Sequence, residues 1–150
     1  MNKTAATNRQ ARYSYHIFEA VEAGIELKGT EVKSLREGKV SLKDSFARVD
    51  DGEVFLYNCH ISPYEFGNRA NVEPTRRRKL LLHKNQIGRL AGAVSQKGMT
   101  LIPLKIYFKR GLAKVDLALA KGKLLYDKRE AIKKREGDME LRRALKSHGK

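Results

Sequence analysis

Along most of this chain apolar residues alternate with polar ones, and twice the alternation gives way to a three-to-four-residue rhythm. Period-two alternation buries one face of a strand, whereas i, i+3, i+4, i+7 spacing lines one face of a helix. The stretch YSYHIFEAVEAGIEL is rich in aromatic and β-branched residues and predicts a strand, with a bend or bulge at Gly24. GTEVKSLREGK predicts a helix, with Thr30 as N-cap, Glu31 in the first turn and Gly38 at its close. Val32 and Leu35 then face inward, and Lys33 and Arg36 share another face at i, i+3. DSFARVDDGEVFLYNCHI predicts a hairpin turning at Asp51-Gly52, with Phe55, Tyr57, Cys59 and Ile61 on one face. YEFGNRANVEPTRRR has no period, carries Pro74 and predicts a loop. RKLLLH feeds a second helix, NQIGRLAGAVSQKG, whose Ile87, Leu90, Ala91 and Val94 form one face and whose end is Gly98. LIPLKIYFK places Ile102, Leu104, Ile106 and Phe108 together, and Pro103 predicts an edge strand or a bulge. After a turn at Lys109-Arg110-Gly111, AKVDLALAK points Val115, Leu117 and Leu119 inward.

Five or six short antiparallel strands with two helices between them can hide one face by curling into a small barrel, which also protects the sheet edges. The expected fold is therefore mainly β: a small antiparallel oligonucleotide-binding (OB) type barrel with two or three flanking α-helices and a basic C-terminal tail. Residues 1–11 are polar without a period and predict a flexible arm. The barrel spans 12–125 and the tail 126–150.

Charge narrows the choice of partner. The chain carries a net +15. Residues 126–150 hold nine Lys or Arg against five Asp or Glu, which leaves +11 on residues 1–125, so the barrel is basic in its own right. A charge of that size repels itself and fits a polyanionic partner, with nucleic acid ahead of an anionic membrane. Membrane-surface binding needs a helix with a broad apolar face, and the tail offers only Ile132, Met139, Leu141 and Leu145 as large aliphatic or Met residues. No run approaches the ~18 apolar residues of a span, the N-terminus has no apolar signal region, and one cysteine cannot form an internal disulfide. These features point to the cytoplasm.

Catalysis and metal chemistry find little support. Cys59 and His60 are neighbours on a strand, so they point to opposite faces, and no CxxC or HxxxH occurs. LALAKGKL has Leu117 where a phosphate loop needs its first Gly, and Leu124 where it needs a hydroxyl. No Ser or Cys sits in a nucleophile elbow; Glu22 with His83 leaves a nuclease open on residue types alone. Basic clusters at TRRRK (Arg76, Arg78 and Lys79 among them), KRG and AKGKLLYDKR fall at strand ends and loops, where a small barrel presents its binding surface. Tyr13, Tyr15 and Tyr107 are candidates either to stack on exposed bases or to pack at the rim. On a helix, Lys128, Arg135 and Arg142 of the tail would share a stripe, but with so little apolar burial that helix is marginal in water. A tail disordered in the free protein and helical against an anionic groove is expected.

NRQARYSYHIFEAVEAGIELKGTEVKSLREGK, PTRRRKLLLHK, KIYF, AKGK and YDKRE, in this order, resemble the transfer-messenger-RNA-binding family of bacterial trans-translation, also called small protein B or SsrA-binding proteins. The resemblance runs from about Asn8 into the tail. It implies an OB-type barrel and an RNA-binding adapter with no catalytic activity, no cofactor and no metal. Its partners would be the tRNA-like domain of transfer-messenger RNA, whose missing anticodon arm the protein replaces, and the ribosome, at its decoding centre, messenger channel and small-subunit RNA. One copy would act per RNA, as a monomer. A general single-stranded-RNA or translation-initiation OB protein is the alternative. Residue by residue, the resemblance assigns RNA contact to Glu22, Leu81 and His83, the last in place of an Asn found in some members. Leu81 also fits a core position. Lys33, Arg36, Lys121 and Lys123 would meet phosphates. Tyr126, Asp127, Lys128, Arg129, Lys133, Lys134 and Arg135 would engage the ribosome, Tyr126 standing where members can have His. Gly137 replaces an aromatic of some tails.

Overall fold

A computed structural model describes residues 3–123. In chain order the elements are β1 (Lys3–Thr7), α1 (Ala11–Ser14), β2 (Tyr15–Ile25), α2 (Gly29–Arg36), β3 (Val40–Ser41), β4 (Phe46–Asp50), β5 (Glu53–Tyr57), β6 (His60–Ile61), β7 (Arg78–Leu81), α3 (Lys84–Lys97), β8 (Thr100–Lys109) and β9 (Leu112–Gly122). The pairings close on themselves: β8, β4, β5, β7, β2 and β9 form a ring, because β9 returns to β8. Every strand pairing among the described residues is antiparallel. This is the mainly-β, OB-like arrangement with flanking helices that the alternation implies.

The ring closes around Ala23, Val54, Leu56, Leu80, Leu101, Ile106, Val115 and Leu117, with Leu35 of α2 and Leu90 of α3 plugging in from the helices. Ile87 and Val94 pack beside Leu90, as their helical spacing requires. Both tight hairpins use left-handed backbone: Asp51 and Gly52 have φ of 51° and 75°, and Arg110 and Gly111 have 53° and 77°. Positive φ at both central residues matches the twist of the flanking strands.

Four expectations need correction. Residues 3–7, within the expected flexible arm, form β1, paired with β8 from Lys3↔Phe108 to Thr7↔Lys105. The polar arm is a sheet edge, where backbone pairing does not require an apolar pattern. Second, the N-cap of the helix is Lys28, two residues before Thr30, and its backbone N–H donates to the Glu31 carboxylate at 2.8 Å. Third, Phe55 and Tyr57 face outward while Val54 and Leu56 are fully buried. Asn58, at φ 60°, then shifts the phase, so Cys59 and Ile61 do point inward. Fourth, Ile102, Leu104, Ile106 and Phe108 do not share one face: of the two alternatives at Pro103 the bulge holds, since β8 pairs with β1, β4 and β9 and its register slips between Pro103 and Lys105. That bulge sends Ile102 and Leu104 to a smaller cluster under α1, with Ala11, Ala118 and Ala120, while Leu101, Ile106 and Phe108 stay in the main core.

Candidate nucleic-acid interface

The outer face of the sheet around β2 carries the first group. Glu22 is exposed on β2 opposite Asp116 of β9. Its carboxylate accepts a short hydrogen bond from the Tyr107 hydroxyl of β8 and lies 3.4–3.5 Å from Lys109 Nζ. The Tyr107 bond is the largest influence on Glu22 and, with Lys109, holds its carboxyl below the ordinary range against the opposing effect of burial. Burial and the Glu22 carboxylate push the Tyr107 phenol up, so it remains a donor at neutral pH. Glu22 is thus an ionised acceptor locked in place before any ligand arrives. Among the described residues no hydrogen bond joins it to His83.

Tyr107 does not offer its ring to a base: it is only 8% exposed. Tyr15 packs against the small cluster under α1. Both therefore take the rim-packing role, while Tyr13 is half-buried on α1.

Leu81 settles on the surface rather than in the core. It is 46% exposed, and its neighbour Leu80 takes the interior position. Leu81 stands directly opposite Gly24, where an added Cβ would come 3.2 Å from the Leu81 Cβ. Gly24 thus lets β2 and β7 approach with Leu81 lying over the bare backbone; β2 runs through it unbroken, and its irregularity falls instead between Ile17 and Glu19. His83 is exposed at the N-cap of α3, its backbone N–H donating to Gln86 Oε1 at 3.1 Å.

The TRRRK cluster splits by direction. Arg78, expected at the RNA surface, has no exposed area. Its Nε donates to the Glu31 carboxylate, Nη1 to the Cys59 carbonyl at 2.6 Å and Nη2 to the Pro74 carbonyl at 2.9 Å. With every nitrogen committed inside, it cannot reach a phosphate. β7 alternates, and the side facing Glu31 is the inner one. Arg76 also reaches Glu31, its Nε at 3.1 Å, leaving its side chain 27% exposed. Lys79 pairs with Glu53 at 2.8 Å, and Arg77 lies 4.1 Å over the Phe55 ring. Burial tends to raise the Glu31 carboxyl, but the two arginines and the Lys28 N–H outweigh it and leave it lowered.

Of the expected phosphate contacts, Lys33, Arg36, Lys121 and Lys123 have no carboxylate partner among the described residues. Lys33 sits 5.4 Å over Tyr64, and Arg36 sits 5.9 Å over Phe108. Lys121 stands opposite His16, and the Lys123 backbone N–H donates to Ser14 O at 2.9 Å. Phe18, 57% exposed, lies at the β2 irregularity. A groove of about 940 Å³ between β1, α1 and residues 40–46 reaches Lys123 but none of the other expected contact residues. No group of three or more His, Cys, Asp or Glu that could hold a metal occurs among the described residues. Cys59 is buried, which pushes its thiol up to about 11 and keeps it unreactive.

The chain matches known proteins both in sequence and in structure. The family model described as SmpB protein matches residues 5–147. This chain belongs to the SmpB protein family. Proteins named SsrA-binding protein from Caldicellulosiruptor bescii and Carboxydothermus hydrogenoformans are 68% and 59% identical to it, covering 97% and 98% of this chain and 92% and 99% of theirs. A solved chain described under "tmRNA-SmpB: a journey to the center of the bacterial ribosome" superposes with a TM-score of 0.68 at 59% identity, over 85% of this chain and 93% of that one.

The SmpB match extends through the segment that holds Tyr126, Asp127, Lys128, Arg129, Lys133, Lys134 and Arg135, which lies outside the described residues. Within the described part, sequence reasoning missed Tyr107 and Lys109 as holders of Glu22 and Glu31 as the interior partner of the arginines. The first had only a partial signal: Tyr107 and Lys109 are on the polar phase of β8, and Glu22 is on β2, with β9 between the two strands. The second had no local signal, because Glu31 and Arg78 meet across 47 residues.

Proposed function

We propose that this chain is the RNA-binding adapter of trans-translation, binding the tRNA-like domain of transfer-messenger RNA and carrying it into the vacant A site of stalled ribosomes, where the protein stands in for the missing anticodon arm. The observation that carries the proposal is the pre-locked Glu22 carboxylate on an exposed sheet face in a chain of net charge +15. In a basic protein built for phosphates, an exposed fixed carboxylate serves to accept from base amino groups in an unpaired loop. Leu81 beside it supplies apolar contact, His83 a polar edge, and Lys33, Arg36, Lys121 and Lys123 the phosphate contacts. Arg76 contributes through the positive charge left where two arginines share Glu31, and Lys79 through exchange of its exposed Glu53 partner for phosphate. The segment 126–150 engages the decoding centre and messenger channel and becomes helical there. Among the described residues no helix is long and apolar enough to cross a membrane, and work on ribosomes places the protein in the cytoplasm, one copy per RNA.

The deciding experiment separates the two parts. Removal of residues 127–150 leaves affinity for transfer-messenger RNA within about twofold and abolishes tagging of stalled products. Glu22→Ala weakens RNA binding and spares the fold. A chain that binds an unstructured RNA of equal length as tightly as the tRNA-like domain at moderate salt would be a general single-strand binder instead. With six to eight phosphate contacts, log K falls against log salt with a slope of order −4 to −7.

A further inference from the structure

Residues 62–77, between β6 and β7, run outside both sheets, yet the middle of this segment is fixed. The Asn71 side chain takes the place of a neighbouring strand: its Oδ1 accepts the Tyr64 N–H at 2.8 Å and its Nδ2 donates to the Tyr64 carbonyl at 2.9 Å. Gly67 lies against this amide, where a Cβ would come within 2.7–2.9 Å of it, so glycine is what lets the bridge close. Thr30 of α2 donates to the Ala70 carbonyl at 3.3 Å and ties the loop to the helix. What the bridge holds out is Phe66, 72% exposed and the most exposed large hydrophobic residue among those described. Tyr64 meets Phe66 edge-on, with ring centroids 5.6 Å apart at 70°, and Lys33 lies over the other ring. Arg69 follows on the same exposed turn.

Ordering a loop costs conformational entropy, and here the order does not return Phe66 to the core. A protein partner would need a contiguous apolar patch, but Glu65, Asn68 and Arg69 beside the ring are all exposed. A rigidly presented ring with cations on either side suits a nucleobase, which offers a flat face and brings phosphates with it. We propose that the Tyr64–Phe66 loop is a base-stacking arm of the RNA site: an unpaired base of the bound tRNA-like RNA stacks on Phe66, and its flanking phosphates meet Lys33 and Arg69. This rests on the RNA-binding reading above and adds a second contact surface, reached from α2 rather than from the sheet face around Glu22.

The test measures affinity of the full chain for the tRNA-like domain RNA, with isolated small ribosomal subunits as a second arm. Phe66→Ala lowers RNA affinity roughly 5- to 150-fold with melting temperature and salt slope unchanged, and Phe66→Trp restores it. Asn71→Ala, which frees the loop, gives part of the same loss. If Phe66→Ala binds the RNA like wild type while Glu22→Ala is weakened, the stacking arm is wrong and the adapter reading stands. If Phe66→Ala loses only subunit binding, the loop serves the ribosome and the proposal is overturned. If the wild-type chain does not prefer the tRNA-like domain at all, both readings fall.

Discussion

Two glutamates, Glu22 and Glu31, show how one basic chain holds a carboxylate in two different ways, one inside and one on its surface. Both carboxyls are held below their ordinary range, and both have two partners from distant parts of the chain. Glu31 is 3% exposed beneath α2 and closes on Arg76 and Arg78. Glu22 is exposed and held by a neutral phenol and one lysine. A buried carboxylate must be matched by charge, and the match consumes the cations that face it. An exposed one needs only to be aimed, and a phenol can aim it without cancelling its charge. Two arginines of the most basic stretch therefore serve the interior, while a single acidic residue is held in a fixed direction on the exposed face.

The largest effect expected breaks the interior half of this comparison. Arg78→Ala leaves the Glu31 carboxylate buried with Arg76 alone and lowers stability by about 3–5 kcal/mol in urea unfolding. Unchanged unfolding would mean that Arg78 is free to bind RNA after all. Next comes Glu22→Ala, which lowers RNA affinity roughly ten- to a hundredfold, as expected for losing charge-assisted hydrogen bonds, and leaves the urea midpoint in place. Tyr107→Phe sharpens the same half: it keeps the carboxylate and frees its direction, with a loss of roughly two- to tenfold, again in binding rather than in stability. In the double variant the two losses do not add, because Tyr107 acts through Glu22.

Acid provides the smallest and most general contrast. A carboxyl lowered in the folded state contributes stability that is complete above its unfolded pKa, near 4.5, and is lost as pH falls through its folded value. Glu31 therefore adds to stability at pH 7 and withdraws it below about pH 4.5, on the acid limb of a pH-dependent melting curve. In Glu22→Ala this limb is nearly unchanged, because Glu22 is solvated; a large shift there would place Glu22 among the groups that hold the fold.

Much of this was legible beforehand where the signal was local. The hairpin at Asp51-Gly52, the α3 face of Ile87, Leu90 and Val94, and the inward run of Val115, Leu117 and Leu119 each depend on neighbours within a few residues. The errors of inward and outward direction within the strands share one cause: phase. A left-handed Asn58 and a bulge after Pro103 each shift the alternation by one residue, and a shift of one moves every later side chain to the opposite face. The same uncertainty in phase hid Arg78, since residue type alone cannot tell an arginine on the outer side of β7 from one on the inner side.

The sequence by itself determined the class of fold, the net charge and hence the polyanionic partner, and through its motif order the family, because each depends on composition, period or short contiguous patterns. The tertiary structure alone decided which charges are available. Ring closure and strand register bring Glu31 to Arg78 and Tyr107 to Glu22 across 47 and 85 residues. Ion pairs and hydrogen bonds act over a few ångströms of space and carry no mark of their partner along the chain.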